Sequence, residues 1–432
     1  MKFENSLSFA RALDANDPLK KFRERFHIPT NKGREVIYLA GNSLGLLPKK
    51  AREYSEQEFI DWENYGVEGH FDAQNPWFYY HHFHREPLAK LVGAKKDEVV
   101  AMNSLTANLH LLLVSFYQPT KERYKIMMEA NAFPSDQYAV ETQVRYHGFD
   151  PDDAIIEIEP REGEDTLHTE DILKTIEENK SQLATIMFGG VNYLSGQLFE
   201  MREITQAGHQ AGAYVGFDLA HAAGNVILNL HDWDADFACW CSYKYLNSGP
   251  GGVGGIFVHQ NHSKNFSLPR FGGWWGNDES TRFEMKKGFH PQPGAAGWQL
   301  SNAPVFPMAI HRAALEIFDE AGMENLRKKS EMLTGFLEFI IEEYNQKNAG
   351  RSLKIITPKN LVERGCQLSL IASSKGKEIF NSLTAAGVSC DWREPNPGSS
   401  GPGVIRMAPV PLYNSFEDVY LTGTVLTRME RR

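Results

Sequence analysis

The chain has 432 residues, of which 42% are hydrophobic and 23% are charged, and its formal net charge is −10 at pH 7. This length predicts two or three domains, and the composition is that of a folded, soluble protein rather than a disordered one. An acidic chain is poorly suited to nucleic acid or an anionic membrane, because both select basic surfaces. We therefore expect a small-molecule ligand, with neither nucleic acid nor a membrane as partner.

Cysteine content and the N-terminus indicate a reduced, cytoplasmic protein. The four cysteines, Cys239, Cys241, Cys366 and Cys390, lack the paired spacing of a zinc site. The first ten residues mix acidic and polar side chains and contain no apolar signal-peptide core. The longest apolar stretch, Leu109–Phe116, is far shorter than the roughly 20 residues of a membrane span. No transmembrane helix is expected.

Residues 1–60 are predicted to form an N-terminal segment. It contains one charged helix, then the short strand Val36–Leu39, which enters the glycine-bounded loop Ala40–Gly45. Loops of this kind often carry ligand contacts. We expect this segment to contribute to a small domain and to the active site.

Strand-like runs recur within residues 61–306, which predicts a large domain. Most runs are continuously apolar, as strands buried on both faces are, and the helical stretches Thr169–Lys180 and Met201–Gly212 separate several of them. The pattern predicts an α/β fold with a mostly parallel sheet and helices on both faces. The predicted strands are Val99–Met102, Lys125–Met128, Ala154–Ile158, Leu183–Phe188, Ala213–Phe217, Asp236–Ser242 and Gly255–His259.

Residues 307–432 are predicted to form a smaller α+β domain. A charged helix is expected over Ala309–Tyr344 from its apolar spacing. Short strands follow near Leu353, at Cys366–Ile371 and at Gly403–Ala408. The segment Asn396–Gly403 is rich in Gly, Pro and Ser and predicts a flexible turn.

Two polar side chains stand where neighbouring strands of the predicted sheet end. Asp218 follows the strand that begins at Ala213, and Lys244 follows the run from Asp236. Ligands of such sheets bind outside the carboxyl ends of the strands. Pyridoxal phosphate needs an amine to form a Schiff base with its aldehyde and an acid to keep its pyridine nitrogen protonated. We predict that Lys244 and Asp218 supply these groups, the alternatives being a surface lysine and a helix-capping aspartate.

Other residues near these strands suit the same cofactor. The segment Asn103–Asn108 precedes an apolar helix and predicts a phosphate site, or else an ordinary helix cap. His221 packs against the cofactor or satisfies a backbone group. Phe133 stacks on the pyridine ring or belongs to a simple turn. The glycine-rich run Gly249–Gly255 is interpreted as backbone passing close to the cofactor.

Arg406 is the candidate for binding the substrate carboxylate. It lies in the apolar segment Ile405–Leu412, where an unpaired guanidinium would be costly. An amino-acid carboxylate fits its fork of donors, and an internal salt bridge is the alternative. The run Trp77–His84 contains three histidines but lacks the spaced ligand set of a metal site. It is interpreted as a half-buried helix, and no metal site is expected.

Taken together, the motifs resemble the kynureninase family of pyridoxal-phosphate enzymes. The resemblance covers nearly the whole chain and implies fold type I, the fold of the aspartate aminotransferase group. It implies that Lys244, Tyr243 and Asp218 are catalytic. The motifs that carry it are Ile37–Leu46, Met102–His110, Ala132–Asp136, Phe217–Ala222, Cys241–Asn247 and Arg406–Ser415.

The resemblance also implies which residues bind the cofactor, the substrate and a partner chain. A homodimer is implied, with Trp274 and Asn302 completing a site shared between two chains. The implied cofactor-binding residues are Leu105, Thr106, Phe133, Pro134, Ser135, Asp136, Asp218, His221, Tyr243, Lys244, Trp274 and Asn302. The implied substrate-binding residues are Ser43, His70, Asn302 and Arg406.

The implied activity is hydrolysis of L-kynurenine, or its 3-hydroxy form, to the corresponding anthranilate and L-alanine. It would serve tryptophan breakdown or nicotinamide cofactor synthesis. A cysteine desulfurase or a class V aminotransferase is the alternative enzyme, and a non-catalytic binding protein on the same scaffold is the alternative of another class. A desulfurase needs a reactive cysteine on a mobile loop, whereas Cys366 and Cys390 lie in apolar, strand-like contexts.

Overall fold

The computed structural model describes residues 2–348, 350, 352–394 and 403–429, so nearly all of the turn predicted at residues 396–403 lies outside the described residues. Its helices are α1 (Leu7–Ala15), α2 (Lys50–Tyr65), α3 (Gly69–Asp72), α4 (His82–Val92), α5 (Leu105–Phe116), α6 (Pro134–Tyr146), α7 (Pro151–Ala154), α8 (Thr169–Asn179), α9 (Met201–Gln210), α10 (Val305–Ala321), α11 (Met323–Lys347), α12 (Gly376–Ala385) and α13 (Phe416–Met429). Across these described ranges, no helix combines the length and the apolar character needed to cross a membrane.

Strands occur in a large central sheet, a smaller sheet and three short pairs. In chain order they are β1 (Phe26–His27), β2 (Thr30–Asn31), β3 (Arg34–Glu35), β4 (Ile37–Tyr38), β5 (Leu47–Pro48), β6 (Val99–Ala101), β7 (Lys125–Glu129), β8 (Ile155–Ile158), β9 (Leu183–Gly189), β10 (Tyr214–Asp218), β11 (Phe237–Trp240), β12 (Gly255–Val258), β13 (Leu353–Ile355), β14 (Leu368–Ala372), β15 (Val388–Ser389), β16 (Asp391–Arg393) and β17 (Val404–Met407).

The central sheet is built from the seven apolar runs that the sequence predicts as strands. Its order is β6-β12-β11-β10-β9-β7-β8. Strand β12 is antiparallel to both of its neighbours, and the pairs from β11 to β8 are parallel. The expectation of a mostly parallel sheet is confirmed. Because parallel strands end at one edge, the residues that follow β7, β9 and β10 are brought together there.

Both faces of this sheet are covered by helices, which explains the continuously apolar strands. Met128 packs in one buried cluster with Phe116 of α5, whereas the next residue back, Met127, packs in another with Ile204 of α9. Successive strand residues point to opposite faces, so each face needs its own apolar cover. Each fully buried side chain of this size contributes roughly 1.5–3 kcal/mol.

The C-terminal part contains a four-stranded antiparallel sheet in the order β13-β14-β17-β16. One face packs on α11 and α13, with Ile405 and Met407 of β17 inside the buried cluster. The prediction of one helix over Ala309–Tyr344 is wrong in one respect, because the structure has two separate helices there, α10 and α11. Gly322 lies between them with a φ of 74°, a left-handed conformation that interrupts a helix.

The N-terminal segment packs on this smaller sheet and then reaches the central one. Ala10 of α1 belongs to the same buried cluster as Val419 of α13, and β4 pairs with β15. The loop after β4 then runs to the carboxyl edge of the central sheet, where the Gly45 N–H donates to the Tyr243 carbonyl at 2.8 Å. The segment thereby connects the small sheet with the strand ends that hold Lys244.

Candidate active site

A cavity of about 240 Å³ lies at the carboxyl edge of the central sheet and is called the Lys244 cavity below. The ends of β7, β9 and β10 and the first turns of α5 and α6 form its walls. Its lining residues are Ser104, Leu105, Thr106, Glu129, Phe133, Ser135, Asp136, Gly189, Val191, Tyr193, Asp218, Ala220, His221, Tyr243 and Lys244. Nine of the residues expected to bind the cofactor therefore meet in one place.

Lys244 lies inside the protein beside a neutral imidazole. Its side chain is buried, with Nζ 3.0 Å from His221 Nε2 and 5.7 Å from the centre of the Phe133 ring. Burial, together with the positive charges of Lys244, Arg406 and Arg393, lowers the pKa of His221 well below its usual value. His221 therefore accepts a hydrogen bond from the amine, while its buried Nδ1 contacts no partner among the described residues.

Three buried carboxyl groups, Glu129, Asp136 and Asp218, form the carboxylate cluster of the cavity. Burial and the neighbouring acids raise the pKa of Asp136 well above its usual value, so Asp136 holds a proton and donates it in a hydrogen bond to Asp218. Burial also raises the pKa of Asp218, but the Ala220 N–H at 2.6 Å, Lys244 and Asp136 oppose that rise. Asp218 is therefore the anionic member, facing the amine.

Glu129 is the third member of the cluster and ends strand β7. Both of its oxygens accept from the Gly189 N–H, at 3.1 and 3.2 Å, and burial is the main cause that raises its pKa to about 7. Gly189 pairs in register with Asp218 across β9 and β10. The three acids thus belong to one polar network at the ends of adjacent strands.

The N-terminus of α5 forms the opposite wall of the cavity. Ser104 is its N-cap and its side chain makes no capping hydrogen bond, so the first amides of the helix lack an internal acceptor. Leu105 and Thr106 occupy this first turn, and the Ser135 hydroxyl lines the same cavity. Free amides and hydroxyls at a helix N-terminus attract a phosphate group.

Tyr243 lines the cavity next to Lys244 and keeps its phenolic proton. Burial raises its pKa above the usual value, and its hydroxyl is hydrogen-bonded to Cys241. The N-terminal loop approaches this segment closely, because the Gly45 N–H donates to the Tyr243 carbonyl at 2.8 Å and a Cβ on Gly45 would lie only 2.3 Å from the Lys244 carbonyl oxygen. Gly45 is the residue that allows this close approach.

Arg406 is fully buried and is already engaged with protein groups. Its Nε donates to Asp391 Oδ2 at 2.7 Å, and its Nη2 forms a short ion pair with the same oxygen. Its Nη1 donates to the Tyr193 carbonyl at 2.6 Å, and Nη2 donates to Ser43 Oγ at 3.2 Å. The salt bridge named as the alternative at this position is present, and the arginine also faces the cavity residue Tyr193.

Besides Ser43 and Arg406, four expected site residues do not line the Lys244 cavity in the single chain. Pro134 lines a neighbouring cavity of about 410 Å³ instead. His70 is hydrogen-bonded to the Val67 carbonyl at 2.9 Å and packs against a tryptophan. Trp274 and Asn302 have exposed side chains, and their segments are joined by a hydrogen bond from the Trp275 backbone N–H to the Leu300 carbonyl.

Two sequence interpretations require correction. Gly249–Gly255 does not line the Lys244 cavity. The Gly254 N–H donates to the Asn103 carbonyl, and the run packs beside the start of α5. The histidine run is more buried than expected, because His81 and His84 have no exposed surface. Burial lowers the pKa of His81 to about 2, so this histidine stays neutral.

Glu98, His231 and His259 form a second polar cluster beyond strands β6 and β12. Their possible ligand atoms lie within 4.8 Å of one another. Hydrogen bonds already engage the acid, from His231 Nδ1 at 2.9 Å and from the backbone amides of Gln260 at 2.7 Å and Lys95 at 2.8 Å. The cluster ties together three chain segments, and its arrangement is explained by hydrogen bonding.

Sequence reasoning missed three residues of the site. Glu129 and Tyr193 line the cavity, and Asp391 holds Arg406. Glu129 carried the same signal as Asp218, an acid at the end of an apolar strand. Asp391 carried no signal, because its role depends on pairing with strand β17, which follows it in the chain.

The residues of the cavity fit pyridoxal phosphate. An amine and an anionic carboxylate, Lys244 and Asp218, line one cavity with an uncapped helix N-terminus. The buried, unpartnered Nδ1 of His221 lies in the same wall. These groups match the aldehyde, the pyridine nitrogen and the phosphate of that cofactor.

Comparisons with known proteins show the family to which this chain belongs. Residues 37–360 match the family described as Aminotransferase class-V, and residues 326–426 match the Kynureninase C-terminal domain. The chain is 53% identical over 428 residues to a kynureninase of Flavobacterium psychrophilum, covering 99% of both proteins. It is 54% identical over 419 residues to a kynureninase of Myxococcus xanthus, covering 97% of this chain and 96% of that protein.

Solved structures with low sequence identity share the fold. A cysteine desulfurase from Thermococcus onnurineus NA1 superposes with a TM-score of 0.74 at 19% identity, covering 92% of this chain and 94% of that one. A cysteine desulfurase from Escherichia coli gives 0.74 at 16% identity, covering 96% and 98%. These likenesses confirm the fold type I architecture, whereas the full-length relatives decide the family. The chain belongs to the kynureninase family of pyridoxal-phosphate enzymes.

Proposed function

We propose that this chain hydrolyses the Cβ–Cγ bond of L-kynurenine or 3-hydroxy-L-kynurenine, releasing the corresponding anthranilate and L-alanine. The observation that carries the proposal is the meeting of Lys244, Asp218 and His221 in one cavity of a chain that is 53% identical to a kynureninase over its full length. The Asp218 carboxylate and the buried Lys244 amine are the two groups that the cofactor requires.

Pyridoxal phosphate, when bound, supplies an electron sink for charge that develops on the substrate. Lys244 and Asp218 would hold its aldehyde and its pyridine nitrogen, and Leu105, Thr106 and Ser135 its phosphate. His221 and Phe133 would pack against its ring. Asp136, by keeping its own proton, leaves the negative charge of the pair on Asp218.

The chain's own residues would then position the substrate and move its protons. Arg406, in contact with Ser43, would bind the α-carboxylate. The Lys244 amine would remove the proton from Cα, with His221 accepting a hydrogen bond from it. Water adds to the Cγ carbonyl, and Tyr243 would donate the proton that Cβ needs after the Cβ–Cγ bond breaks.

The alternative of a cysteine desulfurase is disfavoured by the cysteines themselves. All four are buried, and burial raises the pKa of each thiol, to about 12 at Cys366 and Cys390. A desulfurase nucleophile must be an accessible thiolate. Within the kynureninase reaction none of the four thiols is needed.

We also propose a cytoplasmic homodimer whose active sites are shared between chains. An aromatic cluster supports this proposal: the buried Phe78 contacts Phe71 and Phe283, and Phe283 contacts Trp274, with ring centroids 5.6–5.8 Å apart. Phe71, Phe283 and Trp274 are about half exposed in the single chain. An apolar surface of this kind is typical of protein interfaces.

The proposed reaction is tested with purified protein, pyridoxal phosphate and L-kynurenine, with anthranilate fluorescence as the readout, alongside 3-hydroxykynurenine. Wild type should form product and Lys244→Ala should not. Tyr243→Phe should slow turnover by at least about tenfold while the visible absorbance of the bound cofactor stays unchanged. A protein that binds the cofactor but forms no product from either substrate would overturn the proposed reaction.

A further inference from the structure

The small sheet presents two arginines and one aspartate to the large domain. Asp391 pairs in register with Arg406 across β16 and β17, and Arg393 lies two residues after Asp391. Residues two apart on a strand share a face, and residues in register share it too. Ile405, Met407 and Trp392 point the other way, into the core of the small domain. Asp391, Arg393 and Arg406 therefore share the face turned towards the Lys244 cavity.

Asp391 holds both arginines through one oxygen. Its Oδ2 accepts from Arg406 Nε at 2.7 Å and lies 3.1 Å from Arg393 Nε. The Asp391 side chain is 18% exposed, Arg406 is fully buried and Arg393 is 37% exposed. The carboxylate thus accepts a hydrogen bond from Arg406 and forms an ion pair with Arg393, whose buried Nε has no hydrogen-bond partner among the described residues. Of the two guanidinium groups, only that of Arg406 is enclosed.

Most N–H donors of Arg406 are already engaged with protein acceptors. Of its five N–H groups, Asp391 takes two, the Tyr193 carbonyl takes one and Ser43 Oγ takes one. One N–H on Nη1 remains without an acceptor among the described residues. A carboxylate that binds an arginine through both oxygens needs two N–H groups, so a second donor must come from elsewhere or from displacing an existing contact.

Arg393 is placed to supply that donor. In the part of the chain that the structure describes, no acceptor contacts its two outer nitrogens. Arg393 lines the neighbouring cavity of about 410 Å³, which shares Glu129, Phe133 and Tyr193 with the Lys244 cavity. Its charge also acts on His221 inside that cavity, in the same direction as the charge of Arg406.

We propose that Arg393 is a further specificity-determining residue that, together with Arg406, holds the carboxylate of the amino-acid substrate, and that Asp391 positions both arginines. The proposal rests on the proposed function in one respect, that the substrate is an amino acid. It predicts selection for a free carboxylate over a neutral group of the same shape. Each arginine contributes through charge-assisted hydrogen bonds.

The test uses the holoenzyme and measures binding of L-alanine and of L-alaninamide from the change in the visible absorbance of the cofactor. In Arg393→Met the affinity for L-alanine should fall about tenfold, and that for L-alaninamide less than about twofold. KM for kynurenine should rise with kcat nearly unchanged. Arg393→Lys should retain part of the selectivity. Arg145→Met, which removes an arginine with a 62% exposed side chain from a surface ion pair, is the matched control.

Asp391→Asn provides a second arm, because the amide keeps the shape and loses the charge that aligns both arginines. It should lower the affinity for L-alanine more than Arg393→Met does. Equal losses of L-alanine and L-alaninamide affinity in Arg393→Met, or losses no larger than those of Arg145→Met, would overturn the proposal. If wild type forms no anthranilate while the alanine selectivity follows the prediction, the proposed reaction fails and the role of Arg393 stands.

Discussion

At the scale of single residues, the active site depends on where protons are held in the carboxylate cluster. Asp136 is protonated because burial and the neighbouring acids destabilise its charged form more strongly than that of Asp218. Asp218 is anionic because it faces Lys244 and accepts two hydrogen bonds. Glu129, with a pKa of about 7, is the member whose charge changes near neutral pH. The cluster should therefore make the stability of the apoprotein depend on pH.

Glu129→Gln should stabilise the apoprotein at pH 8 and leave it nearly unchanged at pH 4.5. Between 4.5 and about 7, folded Glu129 keeps its proton while the unfolded side chain loses it, so wild-type stability falls as pH rises through that window. Above pH 7 the cost of ionising buried Glu129 is about 3 kcal/mol of the free energy of unfolding. The Glu129→Gln side chain does not have this cost, and its oxygen still accepts from Gly189. Calorimetric unfolding of both apoproteins at the two pH values measures the difference in stability. An equal shift at both would show that Glu129 carries no charge penalty.

Some residues of the cavity are predictable from the sequence, and others are not. The sequence predicts Lys244, Asp218 and His221 because each follows an apolar strand that ends in a polar side chain, and the structure brings the three into one cavity. Glu129 carried that signal as well, but a strand-end acid is ambiguous until its neighbours are known. Asp391 became meaningful only through its register with Arg406, which is a contact across strands. The role of such a side chain depends on which strands pair, and strand pairing cannot be read from the sequence pattern.

At the scale of elements, the large sheet was predictable and the small one only in part. Strands buried on both faces are continuously apolar, so the seven runs ended within two residues of the observed strands at most positions. Strand β16 reads Asp391-Trp-Arg393, too short and too polar to be recognised. The sequence predicts one helix through Gly322 because the apolar spacing continues on both sides of this glycine.

The element that joins the two parts of the molecule is the loop after β4, and Gly45 is its tightest point. An alanine Cβ there would lie 2.3 Å from the Lys244 carbonyl oxygen and 2.4 Å from Asn247 Oδ1. Gly45→Ala must displace the loop or the Lys244 turn, at a cost of about 1–3 kcal/mol. We expect a lower thermal midpoint and weaker binding of pyridoxal phosphate, measured by calorimetry and by absorbance titration.

Gly350→Ala is the control for this prediction, because a Cβ at Gly350 would meet no atom within 4 Å. It should change neither the thermal midpoint nor cofactor binding. If Gly45→Ala behaves like Gly350→Ala in both measurements, the loop is not in close contact with the Lys244 turn in solution, and the N-terminal segment has no part in forming the site.

At the scale of the whole molecule, the expected residues Trp274 and Asn302 do not line the proposed site of the single chain. Trp274 and Asn302 are exposed, and Trp274 belongs to the aromatic surface that includes Phe71 and Phe283. In a symmetric dimer, the same surface of each chain meets its copy, so a residue at the interface can serve the partner's cavity. Sequence can suggest such sharing only by resemblance, because no pattern within one chain specifies the second.

Mixed dimers made from two differently tagged chains test this sharing. One chain carries Lys244→Ala and the other carries Trp274→Ala with Asn302→Ala, each change being inactivating in the matching homodimer. If sites are shared, one site of the mixed dimer collects all the changes and the other is intact, so activity should be about half of wild type. The reciprocal dimer, with all three changes in one chain and a wild-type partner, should then be nearly inactive because each of its sites contains a defect. The opposite pattern would place Trp274 and Asn302 in their own chain's site, and failure to recover any doubly tagged protein would overturn the homodimer.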